Sequence, residues 1–200
     1  MLRSKLRALL LGAGTAALMT ATALAPTATA ATAAPAADSR TASASAGFWS
    51  CTVPAGYTYT GTRATYSCNS SGYRSTHYYV QPPADGMRAC TVPAGFTYTG
   101  TRTTYSCNIN GYRGTEYALA TPRDGLRTCT VPAGFTYTGT RTTYSCNING
   151  YRGTEYALAT PRDGLRACTV PAGFTYTSTR ATYSCNINGH RSNLYTLRAL

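Results

Sequence analysis

The chain has 200 residues, of which 43% are hydrophobic and 12% charged, and 18 basic against 6 acidic side chains give it a formal net charge of +12. That balance excludes an acidic disordered tail and a bundle of membrane-spanning helices. Eight cysteines, 19 glycines, 10 prolines and 17 tyrosines point instead to small, turn-rich β structure, because tyrosine suits pleated strands while glycine and proline punctuate turns.

Residues 1–30 read as a secretory signal: Arg3, Lys5 and Arg7 precede an apolar run from Leu9 to Leu24, and small residues follow, with cleavage sites after Ala30, Ala33 or Ala36. Gly12, Gly14 and Thr15 interrupt the run, leaving no unbroken stretch of about 18 apolar residues for a membrane anchor. Residues 31–46 are dominated by Ala, Thr and Ser, bury too little to order themselves, and are expected to form a flexible leader. Without Arg3, Lys5 and Arg7, fifteen arginines face six acids, a net +9, and no lysine remains. The mature chain is expected to be extracellular, released or held at the cell wall, with no transmembrane segment.

From residue 47 the chain repeats. Cysteines at 51, 68, 90, 107, 129, 146, 168 and 185 alternate spacings of 17 and 22, a period of 39. This divides the chain into copies 47–89, 90–128, 129–167 and 168–200, the middle two differing only at their last residue, Thr128 against Ala167. A module this small rarely holds together on a hydrophobic core alone. One disulfide per copy is therefore expected, Cys51 with Cys68, Cys90 with Cys107, Cys129 with Cys146 and Cys168 with Cys185, each contributing about 3 kcal/mol in the chain-entropy model. The shifted register, Cys68 with Cys90 and onward, strands Cys51 and Cys185 unless the array closes on itself. The cysteine separation, with no close second ligand, does not match structural zinc spacing, and neither a metal nor another cofactor is expected.

Within a copy, Thr97-Tyr98-Thr99 and Arg102-Thr103-Thr104-Tyr105-Ser106-Cys107, joined at Gly100, read as one bent strand or a tight hairpin. Asn108-Ile109-Asn110-Gly111 is a turn, Tyr112 to Leu119 a further strand, Thr121-Pro122-Arg123-Asp124-Gly125 a second turn, and Leu126 to Val131 a last extended segment. Helix signals are nearly absent. The fold class is all-β: four tandem 39-residue disulfide-stapled antiparallel β modules, each a three- or four-stranded meander, arranged as a string, a solenoid or a closed ring. The stretch Tyr105-Ser106-Cys107-Asn108-Ile109-Asn110-Gly111-Tyr112 resembles a short segment of complement-control (sushi) modules. Those modules have four cysteines where each copy here has two, and nothing is carried over from that family.

Parity assigns faces. In the strand after the Asn-x-x-Gly turn, one parity holds Arg113, Thr115, Tyr117, Leu119 and their equivalents and is expected to be buried, with Arg at its rim; the other holds Tyr112, Gly114, Glu116, Ala118 and their equivalents and is expected to face solvent. In the preceding strand Tyr66, Tyr105, Tyr144 and Tyr183 share the parity of the second cysteine and are expected to pack on the disulfide. The opposite parity presents Arg63, Arg102, Arg141 and Arg180 with Thr65, Thr104, Thr143 and Thr182 as an outward row. Arginine there discourages edge-to-edge pairing and also offers planar donors to carboxylate or phosphate. Tyr59, Tyr98, Tyr137 and Tyr176 stand beside that row unless a bulge at Gly100 and its equivalents turns them to the core. The candidate ligand contacts are these arginines, these tyrosines, and Tyr73, Tyr112 and Tyr151.

An enzyme is not expected: His77 and His190 occupy non-equivalent positions, Glu116 and Glu155 give way to His77 and Leu194 in the outer copies, and Asp85, Asp124 and Asp163 precede Gly in a turn. The composition fits a secreted multivalent protein that binds a cell-envelope or extracellular polymer, a polysaccharide or anionic glycan, through repeated Arg/Tyr/Thr surfaces. The alternatives are a self-associating surface or matrix protein and, third, a protease inhibitor presenting Pro122-Arg123-Asp124-Gly125-Leu126-Arg127 and its copy at Pro161. No specific nucleic-acid partner is expected, since charge alone attracts such chains incidentally.

Overall fold

The computed structural model describes residues 46–200; the signal expected over 1–30, and the leader expected over 31–46 apart from Ala46, lie outside them. Runs such as Thr-Tyr-Thr-Gly-Thr-Arg-Thr-Thr combine β-branched and aromatic side chains and form strands. In chain order these are β1 Phe48–Ser50, β2 Thr58–Thr65 and β3 Ser75–Gln81; β4 Arg88–Ala89, β5 Thr97–Thr104 and β6 Gly114–Ala120; β7 Arg127–Thr128, β8 Thr136–Thr143 and β9 Gly153–Ala159; β10 Arg166–Ala167, β11 Phe174–Thr182 and β12 Ser192–Ala199. The described residues contain no helix. The strands build four three-stranded antiparallel sheets, one per module, each stapled by one disulfide: Cys51–Cys68, Cys90–Cys107, Cys129–Cys146 and Cys168–Cys185.

The order within each sheet is not that of a meander. The third strand is central, flanked by the short first strand and the long second one, as in β4-β6-β5. The reason lies in the next module. The outer edge of the second strand is occupied from outside: Thr62 N–H donates to Ser106 O at 2.8 Å, and Cys90 N–H donates to Tyr59 O at 2.8 Å. The same bonds recur from Thr101 to Ser145 and Cys129 to Tyr98, then from Thr140 to Ser184 and Cys168 to Tyr137. Buried threonines reinforce each junction, with Thr58, Thr97 and Thr136 meeting the hydroxyls of Thr91, Thr130 and Thr169 at 2.9, 3.2 and 2.9 Å. Among the described residues every hydrogen bond between modules joins sequence neighbours, the pattern of a solenoid rather than of independent beads.

The bonded unit is offset from a count that starts at cysteine. β4 falls at the end of residues 47–89, yet it pairs with β6, Arg88 opposite Ala118 and Ala89 opposite Tyr117. Asp85 opens that module by accepting from the Thr121 hydroxyl at 2.6 Å and from the Arg123 guanidinium at 3.4 Å. Asp124 does the same with Thr160 and Arg162. The aspartates of the Asp-Gly turns thus tie the start of the second, third and fourth units to the end of their central strands. At the centre of the sheets sit Val80, Leu119, Leu158 and Leu197, each no more than 1% exposed.

Candidate functional site

A bulge in the second strand decides what each module presents. The β5–β6 register slips between Tyr98 and Gly100, leaving Thr99 unpaired, and β2, β8 and β11 slip at the same place. The extra residue reverses parity. Tyr98 therefore stands with Thr101 on the Leu119 face, whereas Arg102 points to the other side opposite Glu116. The outward row of Arg102 with Tyr98 beside it does not form as one surface. It separates into two sites on opposite faces.

On the Leu119 face the second-strand tyrosines of the first three modules pack edge-to-face on their third-strand neighbours, Tyr59 on Tyr78 at 4.9 Å, Tyr98 on Tyr117 at 4.9 Å and Tyr137 on Tyr156 at 5.0 Å. Burial pushes the Tyr59, Tyr98 and Tyr137 hydroxyls above their ordinary pKa, and the phenols beside them add to the shift. Above the first two pairs the following module lays its Asn-Ile-Asn turn, which walls one side of a small open cleft. At the first junction Tyr59, Thr62, Thr76 and Tyr78 meet Cys107, Asn108, Ile109 and Asn110 around about 170 Å³. At the second, Tyr98, Thr101, Thr115 and Tyr117 meet Cys146, Asn147 and Ile148 around about 200 Å³. Both lie below the roughly 300 Å³ at which small-molecule pockets begin, so a cleft admits one group of a larger ligand. Each turn is held rigid by its own asparagine, as Asn108 Oδ1 accepts from Asn110 N–H at 2.8 Å.

On the opposite face the middle modules carry an ion-pair clamp. Glu116 lies between Arg88 and Arg102, and Glu155 between Arg127 and Arg141. Both glutamates are only 6% exposed, which corrects the solvent-facing assignment for these two residues of that parity. In each clamp one arginine reaches the carboxylate through Nε and the other through Nη1, while about half of each arginine side chain stays exposed. The hydrogen bond to Glu155 holds the Arg141 guanidinium above its ordinary pKa. In the first module Trp49, His77 and Arg63 take the places of Arg88, Glu116 and Arg102: the Arg63 guanidinium stacks 4.1 Å from the Trp49 ring centre and donates from Nε to His77 Nδ1 at 3.1 Å. In the fourth, Arg166 and Arg180 flank Leu194.

The other sequence candidates are placed differently. Tyr66, Tyr105, Tyr144 and Tyr183 do not pack on the disulfides; they are 60–65% exposed. Arg113, Arg152 and Arg191 lie over the last three of these rings at 5.4, 5.5 and 5.4 Å. The strand ends at the threonine before this tyrosine, so strand parity no longer governs the ring; Thr104 Oγ1 accepts from Ser106 N–H at 3.2 Å and starts the turn. That turn engages the threonines of the outward row. Tyr73, Tyr112 and Tyr151 are 73–74% exposed and stand apart from the clefts, and Tyr176 at 51% is more open than its counterparts. One ring nitrogen of His77 lies within 4.8 Å of the sulfurs of Cys51 and Cys68, which are bonded to each other. Arg123 and Arg162, in the turns considered for protease binding, are engaged by Asp85 and Asp124. An apolar groove of about 560 Å³ between Phe96, Pro122, Pro132 and Phe135 opens beside that turn; nothing in the sequence pattern signalled it. The clefts were missed too, because their second wall comes from the next copy. No family model, curated protein or solved structure matches the chain.

Proposed function

We propose that this is a secreted, multivalent, non-enzymatic protein that holds an extracellular polysaccharide in the clefts between its modules. The observation that carries the reading is recurrence: successive junctions present the same tyrosine pair, threonine hydroxyls and Asn-Ile-Asn turn in one hydrogen-bonded frame. Tyrosine faces suit the apolar sides of sugar rings, and the hydroxyl and amide groups suit their oxygens. Clefts that each take a single group bind weakly alone, and a polymer threading several gains through effective concentration. The four disulfides are compatible with the oxidising compartment that this role requires.

The test is retention of residues 31–200 on insoluble peptidoglycan, chitin and cellulose at low salt and at roughly 0.15 M salt. Retention on at least one polymer that survives the higher salt supports cleft binding, and retention that vanishes assigns the effect to net charge. One observation favours self-association as a second reading. β11 carries no neighbouring module among the described residues, and its Thr175 is half-buried where Thr58, Thr97 and Thr136 are at most 1% exposed. A second copy docking there predicts a sedimentation coefficient that rises with concentration.

A further inference from the structure

The clamp position of the fourth module keeps its arginines and lacks the acid of its counterparts. In the second and third modules two guanidiniums close on a built-in carboxylate, that of Glu116 or Glu155. The fourth module keeps both arginines in the same register, Arg166 opposite Thr196 and Arg180 opposite Leu194, but the acid is replaced by Leu194. Arg198, two residues beyond Thr196 and so on the same face, adds a third guanidinium where the middle modules have Ala120 and Ala159. Between them Ser178 Oγ donates to Thr196 Oγ1 at 2.9 Å. None of the three arginines makes an ion pair among the described residues.

We propose that this face binds the carboxylate of a uronate-bearing polysaccharide. The middle modules supply the precedent within the chain itself: the same arginine pair at the same register already holds a carboxylate there. Guanidinium forks match that planar group, and half-buried Leu194 offers the sugar ring an apolar contact. The inference rests on the polymer reading for the source of the carboxylate, and it uses the face opposite to the clefts, so the two fail separately. Exposed ion pairs are individually weak, which makes an oligomer the proper probe.

The experiment titrates residues 31–200 with hexagalacturonate at roughly 0.15 M salt, followed by amide chemical shifts. Shifts centred on Arg166, Arg180 and Arg198 with one site per chain are expected. Leu194→Glu rebuilds the arrangement with which the middle modules already fold, and it should weaken binding by about tenfold or more. Glu116→Leu makes the second module resemble the fourth and should raise the number of sites towards two. Equal binding by the chain and by Leu194→Glu, shifts spread evenly over all four modules, or no binding would overturn the proposal. So would inorganic polyphosphate bound as tightly and with the same loss in Leu194→Glu. Retention on a neutral polymer is read separately, and its failure beside intact hexagalacturonate binding contradicts the cleft reading alone.

Discussion

Glu116 shows how one side chain sets what a module offers. Its carboxylate engages Arg88 and Arg102 together and offsets one of their two charges, whereas Leu194 at the same position of the fourth module offsets none. Glu116→Gln should cost about 1 kcal/mol by urea denaturation, because the arginine heads remain hydrated. Leu119, 1% exposed, is a different case, and Leu119→Ala should cost about 2–5 kcal/mol by the same measurement. The titrating groups bound the pH range. Hydrogen bonds from Thr121 and Thr160 hold Asp85 and Asp124 below the ordinary 3.8, so their contribution is full above that value and lost as pH falls through the folded pKa. Burial raises Tyr59, Tyr98 and Tyr137 above 10.0, so their contribution is full below that value and lost as pH rises through the folded pKa. The melting temperature should fall at both ends, and Asp85→Asn with Asp124→Asn should flatten only the acid limb.

Among elements, the second strand is where sequence reasoning reached furthest and then stopped. Its β-branched composition marks a strand, and Gly100 marks a place where the strand can bulge, but composition does not choose between a bulge and a hairpin. That choice is made by pairing: Thr101 must turn its N–H to Ser145 of the next module while Tyr98 keeps its carbonyl for Cys129. An added Cβ at Gly100 would meet Ser145 O at 3.5 Å, ordinary contact distance, so the glycine eases the approach without dictating it. Leu119 was legible as core from alternation alone. Glu116 was not, because a carboxylate reads as exposed until two arginines on other strands close over it. Tyr105 was misplaced because alternation was carried past the end of the strand. The disulfides follow directly from the period. Replacing Cys90 and Cys107 by Ser should lower stability by about 3 kcal/mol, read by denaturant unfolding with the other three bridges intact.

At the scale of the whole molecule, a cleft exists only where one module is followed by another. Neither the array nor its clefts were visible in a single copy, since the walls are contributed by Tyr98 and Tyr117 from one module and Asn147 and Ile148 from the next. The period gave the number of modules, whereas the Thr–Thr and Thr–Ser bonds between neighbours gave their stacking. Retention on polymer should therefore track the number of open clefts more steeply than the number of arginines. Thr76, Thr115 and Thr154 occupy equivalent positions in the first three modules, and the first two line clefts, so substitution by Trp fills the space without touching a charge. The most direct measurement compares retention of the chain on its polymer, at roughly 0.15 M salt, with Thr76→Trp, Thr115→Trp and the double variant, each of unchanged melting temperature. Cleft binding predicts a loss in each single variant and a steeper one in the double, and a double variant retained as well as the unsubstituted chain contradicts it.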